Sequence, residues 1–123
     1  MILRHVKVRN LTLNDYQQLE NIAFSVTATH NMRIEEDHYE CLTEISIEQS
    51  EQTILNAHFL SMLERESTDL EDEAWLHQTS LEQIYPHIRA IIISLMSSAM
   101  IQPILLPLQA PQLDAPQLAK TSE

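Results

Sequence analysis

The strongest constraint on this chain is the apolar run at residues 85–108, YPHIRAIIISLMSSAMIQPILLPL, which follows four strand-like segments. A sheet with one apolar face needs something laid on that face. Everything after the run reads as tail, so the run itself is expected to be the covering helix. From Pro86 to about Ile101 its spacing is helical. Ile84, Ile88, Ile91, Ile92, Leu95 and Ala99 form one stripe; Ile93, Met96 and Met100 form a second. A helix that is apolar over most of its circumference is buried on more than one side. The first stripe is therefore assigned to the chain's own sheet. The second, Ile93, Met96 and Met100, is assigned to a neighbouring chain. The run is nearly long enough to cross a bilayer. However, Ser94, Ser97, Ser98 and Gln102 interrupt it, and Pro103 and Pro107 break it, so no membrane span is expected.

The four segments before it alternate with a period of two. Residues 2–13 carry Val6 and Val8 on one parity and Leu11 and Leu13 on the other, so a bulge is expected near Arg9 and Asn10. Residues 20–31 place Ile22, Phe24, Val26 and Ala28 on one face. Residues 38–48 place Tyr39, Cys41, Thr43, Ile45 and Ile47 on one face. Their other face is rich in glutamate and should meet water. Residues 52–64 are apolar on both parities: Leu55, Ala57, Phe59 and Leu63 on one, Ile54, Leu60 and Met62 on the other. Both faces of that strand should be covered, one by the helix and one by a partner chain or a client.

Residues 66–78 are acidic. Thr68 with Glu71 resembles a capping box, which predicts one or two helical turns anchored by Trp75 and Leu76. A second helix start is expected at Ser80, with Pro86 in or near its first turn. The tandem APQL at residues 110–113 and 115–118 reads as an extended tail. The organisation expected is one domain at residues 1–108 and a flexible tail at 109–123.

Composition narrows the function. Eighteen acidic against seven basic residues give a net charge of −11, which repels phosphate backbones and argues against nucleic-acid binding. With one cysteine, Cys41, no intramolecular disulfide can form, and the first ten residues lack a signal-peptide pattern. Together these favour the cytoplasm. Glycine is absent, which removes every Gly-rich phosphate loop and leaves turns to Asn, Asp or longer loops. Six histidines are present, but none pairs at the i, i+4 spacing of a helical zinc site. No metal and no other cofactor is expected, and no catalytic set stands out. Cys41, on an apolar parity, is expected to be a buried, inert thiol.

The order of these segments resembles the SecB family of export chaperones. The strand at residues 36–48 is similar to that family's D-x-Y-E-x-x-L strand through Asp37, Tyr39, Glu40 and, one place early, Leu42. Residues 84–108 look like its long helix through Ile84, Tyr85, Pro86, Arg89 and the stretch 93–96, followed by a Pro-containing apolar exit. VKVRNLTL looks like its first strand. The resemblance implies an α+β fold, a four-stranded antiparallel sheet covered by a long C-terminal helix. It also implies homodimers or homotetramers, unfolded client polypeptides held in apolar grooves, and no ATP or metal chemistry. Docking to the SecA motor is implied too, although the family's acidic sheet residues fall approximately on Asn10 and Asn14 here. The client-binding candidates are Phe24, Ile54, Leu60, Met62, Trp75, Leu76, Ile84, Tyr85, Ile104 and Leu106. Two other readings compete with a general holdase. One is a dedicated chaperone for a single client, an antitoxin or a secretion effector. The other is a small hot-dog-type enzyme, whose long helix would precede most of its strands.

Overall fold

A computed structural model describes residues 1–14 and 24–101, together with Ile104 and Leu106. Strands β1 (Ile2–Leu13), β2 (Ser25–Ile34), β3 (His38–Gln49) and β4 (Gln52–Glu64) form one antiparallel sheet in the order β1-β4-β3-β2. Helix α1 (Glu73–Ser98) comes next and packs on one face. The fold is thus the α+β sheet-and-helix arrangement that the segment order implies. The expected tail at 109–123 and the expected strand residues 20–23 lie outside the described residues.

Period-two alternation sets the inner face. Tyr39, Cys41, Thr43, Ile45 and Ile47 of β3 are all buried, and so are Leu55, Ala57, Phe59, Ser61 and Leu63 of β4. The bulge expected in β1 lies between Val8 and Asn10, with a second between Leu3 and His5. In β4, Ile47 pairs with Leu55 but Glu48 pairs with Thr53, so Ile54 is an extra residue. That shift turns Ile54 into the core beside Leu55, although its parity points the other way.

Two local expectations are overturned by tertiary contacts. The helix does not begin at Thr68, nor does a second one begin at Ser80. One 26-residue helix starts at Asp72, whose side chain accepts from the Ala74 N–H at 3.3 Å. Asp69, next to the expected cap Thr68, instead accepts from the Tyr39 hydroxyl and the Glu66 N–H. Pro86 lies well inside the helix rather than in its first turn. A proline there removes the hydrogen bond to Glu82 and costs about 3 kcal/mol. Pro86 and Glu82 are both exposed, so the freed carbonyl meets water. Leu81, Ile84, Tyr85 and Ile88 are buried on either side of it and carry the helix through.

The rotation of α1 also corrects the assignment of its stripes. Ile84, Ile88, Ile92 and Met96 form the buried row, whereas Ala99 is exposed. Met96 is fully buried in the chain's own core and is not available to a neighbouring chain. Of the second stripe, Ile93 is half-buried and Met100 is 94% exposed.

At two places among the described residues, left-handed backbone stands where glycine would be favoured. The β3–β4 turn places Ser50 and Glu51 at φ 50° and 64° between the paired Gln49 and Gln52, the pattern of a type I′ hairpin. Met100, at φ 60°, takes the position that glycine favours after a helix. There its N–H donates to the Ser97 carbonyl, while the Ile101 N–H donates to that of Met96. Each left-handed non-glycine residue costs roughly 1 kcal/mol. Glu51→Gly is therefore expected to stabilise the fold by about 1 kcal/mol, read from urea unfolding midpoints. Met96→Lys should lose about 3 kcal/mol or more, or the fold itself, by buried unpaired charge. Retention of a cooperative unfolding transition of unchanged midpoint would refute the second.

Candidate functional site

One helix cannot cover this sheet. An α-helix is about 10 Å across, whereas strands of 12 or 13 residues run to about 40 Å. The helix also runs across the strands rather than along them. Ser80 bonds to His30 on the β2 edge, while Ile91 shares a groove with Leu3 and Val6 on the β1 edge. The result shows in the burial. Inner-face residues of the central strands are buried, but Leu3, Val6 and Leu11 of β1 and Val26 and Ala28 of β2 are only half-buried, and Val8 is exposed.

Among the described residues, hollows lie beside the helix and on the open face of the sheet. A groove of about 450 Å³ lies between β1 and α1, with Leu3, Val6 and Ile91 as its apolar wall and His87 at its side. A cleft of about 370 Å³ lies where the chain leaves the sheet for the helix. Its floor is Tyr39 and Leu76, its apolar lips are Ile34 and Leu70, and Glu66, Glu71 and Glu73 stand around it. Leu70 is 53% exposed, although nothing in its local structure requires a leucine there. The third hollow, about 300 Å³, lies on the open face of the sheet beside Leu42 and Leu60, with Arg9 and Arg33 alongside.

Asp69 holds the cleft in shape. Its carboxylate accepts from the Tyr39 hydroxyl at 2.8 Å, from the Glu66 N–H at 3.1 Å and from the Met1 amine at 2.7 Å. Burial alone would raise its pKa, but these donors outweigh burial and hold it below 3.8. Burial, and then the Asp69 carboxylate, push the Tyr39 hydroxyl up to about 12. Arg65 stacks its guanidinium 5.5 Å from the centre of the Tyr39 ring and donates to the Glu35 carbonyl at 2.7 Å. The cleft is thereby tied to the β2–β3 turn.

The structure divides the residues singled out from sequence. Leu76 reaches the cleft, buried at its floor. Leu60 and Met62 lie together, half-buried, on the open face, with Leu42 directly opposite Leu60. Phe24 and Trp75 are half-buried against the edge of the core. Ile54, Ile84, Tyr85, Ile104 and Leu106 belong to the interior. Leu106 is fixed there partly by Arg89, whose Nε donates to its carbonyl at 3.0 Å. Periodicity could not separate these sets, because it marks apolarity and not what covers it. Missing from that set were Ile34 and Leu70. Leu70 had one sequence sign, an isolated large apolar residue in an acidic stretch.

The interior also holds a pairing that sequence spacing could not reveal. His30 Nε2 is 2.7 Å from Ser80 Oγ, and His30 Nδ1 is 2.7 Å from Thr43 Oγ1. A serine on an imidazole invites comparison with a nucleophile and its base. Both residues are fully buried, and the second imidazole nitrogen faces a threonine hydroxyl rather than an orienting carboxylate. The pair is built as packing, not as a reaction centre.

No protein-family model matches the sequence, and no curated protein matches it. Among solved structures, the fold is similar to that of the Mycobacterium tuberculosis Rv1957 SecB-like chaperone, in complex with a ChAD peptide from the Rv1956 HigA1 antitoxin. The TM-score is 0.65 at 12% identity, over 88% of this chain and 86% of that one. Among the described residues, no helix is long and apolar enough to cross a membrane.

Tyr39→Phe tests the support of the cleft. Removing the hydroxyl should cost about 1–2 kcal/mol at pH 7, because Asp69 loses a donor to its charged form. Asp69 has a lowered folded pKa, so its contribution is present above about 3.8 and lost as pH falls through the folded value. The gap between variant and wild type in urea unfolding should therefore narrow in strong acid.

Proposed function

We propose, from the SecB-like fold, that this chain is an ATP-independent chaperone that holds extended segments of unfolded polypeptide on its uncovered apolar surfaces. The observation that carries the reading is the cleft at the start of α1, with the exposed Leu70 on its lip and Leu76 on its floor. Exposed large apolar side chains grouped at a hollow mark binding surfaces rather than ordinary surface scatter. The strongly acidic remainder of the chain keeps a loaded complex soluble. On this reading the working unit is residues 1–108, in the cytoplasm, and the protein is not an enzyme.

Association of chains is part of the same proposal. β1 is a 12-residue edge strand beside the half-open groove at Ile91. A long edge of that kind needs cover. Met100, almost fully exposed in a strained conformation, and Ile93 are the helix residues offered to a second copy. The expected assembly is a homodimer or homotetramer. SecA stays outside the reading. Asn10 shares a hydrogen bond with His58 and Asn14 donates to the Thr53 carbonyl at 3.0 Å, and neither carries a charge for a motor to engage.

A second reading, a dedicated chaperone for one client, is favoured by one observation. The similar SecB-like structure carries a peptide from an antitoxin. Recovery of a single stoichiometric client on purification would select it over a general holdase.

The shared claim is tested by light scattering from a reduced, unfolded model protein with and without the chain. Stoichiometric suppression is expected, and none would sink the proposal. Leu70→Glu should weaken client binding about tenfold, as expected for about 1.5 kcal/mol of lost burial, with thermal stability unchanged. Ile93→Glu should shift native-mass peaks toward monomer while leaving the circular dichroism spectrum intact.

A further inference from the structure

A buried imidazole links the first two turns of α1 to the sheet by hydrogen bonds, beside the packing of Leu76 and Trp75. His30, on β2, is fully buried and reaches two other elements at once. His30 Nε2 pairs with Ser80 Oγ and Nδ1 with the Thr43 hydroxyl of β3, and Ser80 Oγ also reaches the His77 carbonyl at 3.0 Å. Either neutral tautomer satisfies the set, because a hydroxyl donates to whichever ring nitrogen lacks the proton and accepts from the other.

The groups facing it offer nothing that would welcome a proton. From β3 come Thr43 and Cys41, whose thiol contacts Ser80 and is pushed up to about 12 by burial. From α1 come Ser80 and the ring of His77, edge-on at 6.0 Å. Among the described residues no carboxylate enters its surroundings. Burial first, and His77 second, bring the His30 pKa down from 6.5 to about 3. A second ring proton turns the accepting nitrogen into a donor, displaces the hydroxyl that donated to it and leaves a buried cation between two hydroxyls.

We propose that His30 is a proton-operated latch, whose protonation frees residues 73–80 from the sheet while the rest of α1 stays docked. The limit at Ser80 is set by packing. Leu76 is the one large apolar side chain of those turns that is fully buried, with Trp75 half-buried beside it. Leu81, Ile84, Tyr85 and Ile88 pin the next two turns of the helix. Leu76 is also the floor of the cleft, so opening the latch reshapes that cleft. Only this last step rests on the chaperone reading.

The direction of the pH dependence is fixed by the lowered folded pKa. The stabilisation from neutral His30 is complete above about 6.5 and is lost as pH falls toward about 3. Between those limits the open fraction should rise about tenfold per pH unit, or about 100-fold by pH 4.5. Cys41 lies under the latch and reports opening without any client. Its labelling by dithiodipyridine, normalised to the urea-unfolded chain at each pH, should track that slope. In His30→Gln, which can still meet both hydroxyls, the slope should vanish, while His77→Gln should keep most of it. An unchanged slope in His30→Gln overturns the latch. So does equal acid-induced amide exchange throughout the sheet, which would mean global unfolding. If the glutamine variant does not fold, nitrogen NMR of the wild-type imidazole decides. A neutral imidazole at pH 5, of either tautomer, supports the proposal, and titration near 6.5 in the folded protein overturns it.

Discussion

The rest of the structure depends on one mismatch: a single crossing helix must close the apolar face of a four-stranded sheet. Helix α1 supplies Leu76, Ile84, Ile88, Ile92 and Met96 to that face, and Ile104 and Leu106 add to the same core. The two central strands are sealed as a result. The flanking strands are sealed only in part, with His30 and Met32 of β2 buried, because an edge strand has a neighbour on one side only and the helix is narrow relative to strand length. Half-buried Leu3, Val6, Val26 and Ala28 are the residue of that geometry. Among the described residues, the groove between β1 and α1 is what the helix leaves uncovered.

Polar contacts decide where the helix sits along that face. At its start, Asp69 collects the Tyr39 hydroxyl and the Glu66 N–H, which ties the linker down, and Asp72 caps. Two turns later, Ser80 meets His30. At the far end, Arg89 donates to the Leu106 carbonyl and fixes the returning chain. Hydrophobic burial is non-directional. These bonds are directional, and they select one docking among several that would bury similar area. The site and the latch share this origin, since both are built where polar groups pin an otherwise sliding interface.

Absence of glycine has a further consequence. Ser50, Glu51 and Met100 occupy left-handed backbone that glycine would hold without strain. The hairpin and the helix end form nonetheless because the ladder between β3 and β4 and the buried row of α1 over-determine them. At Met100 the strained conformation leaves a large apolar side chain almost fully in solvent, next to a free β1 edge and a half-buried Ile93. Strain and exposure at one residue are easier to reconcile with association than with a lone domain.

Much was legible from residue order alone. Alternation marked four strands, with β2 running three residues past its expected end to Ile34, the inner face of β3 from Tyr39 to Ile47 and the bulge near Arg9, and helical spacing marked the covering helix. Those features repeat over many residues, so no single contact can overrule them. Resemblance to the SecB family carried the assembly of these elements into a sheet-and-helix fold. Tertiary structure decided the rest. It set the cap at Asp72, carried the helix through Pro86, turned Ile54 and Met96 inward, and joined His30 to Ser80 across 50 residues. A cap or a turn preference is worth about 1 kcal/mol, whereas burying one large side chain is worth about 1.5–3 kcal/mol. Local preferences therefore yield wherever several apolar neighbours agree on a different rotation or length.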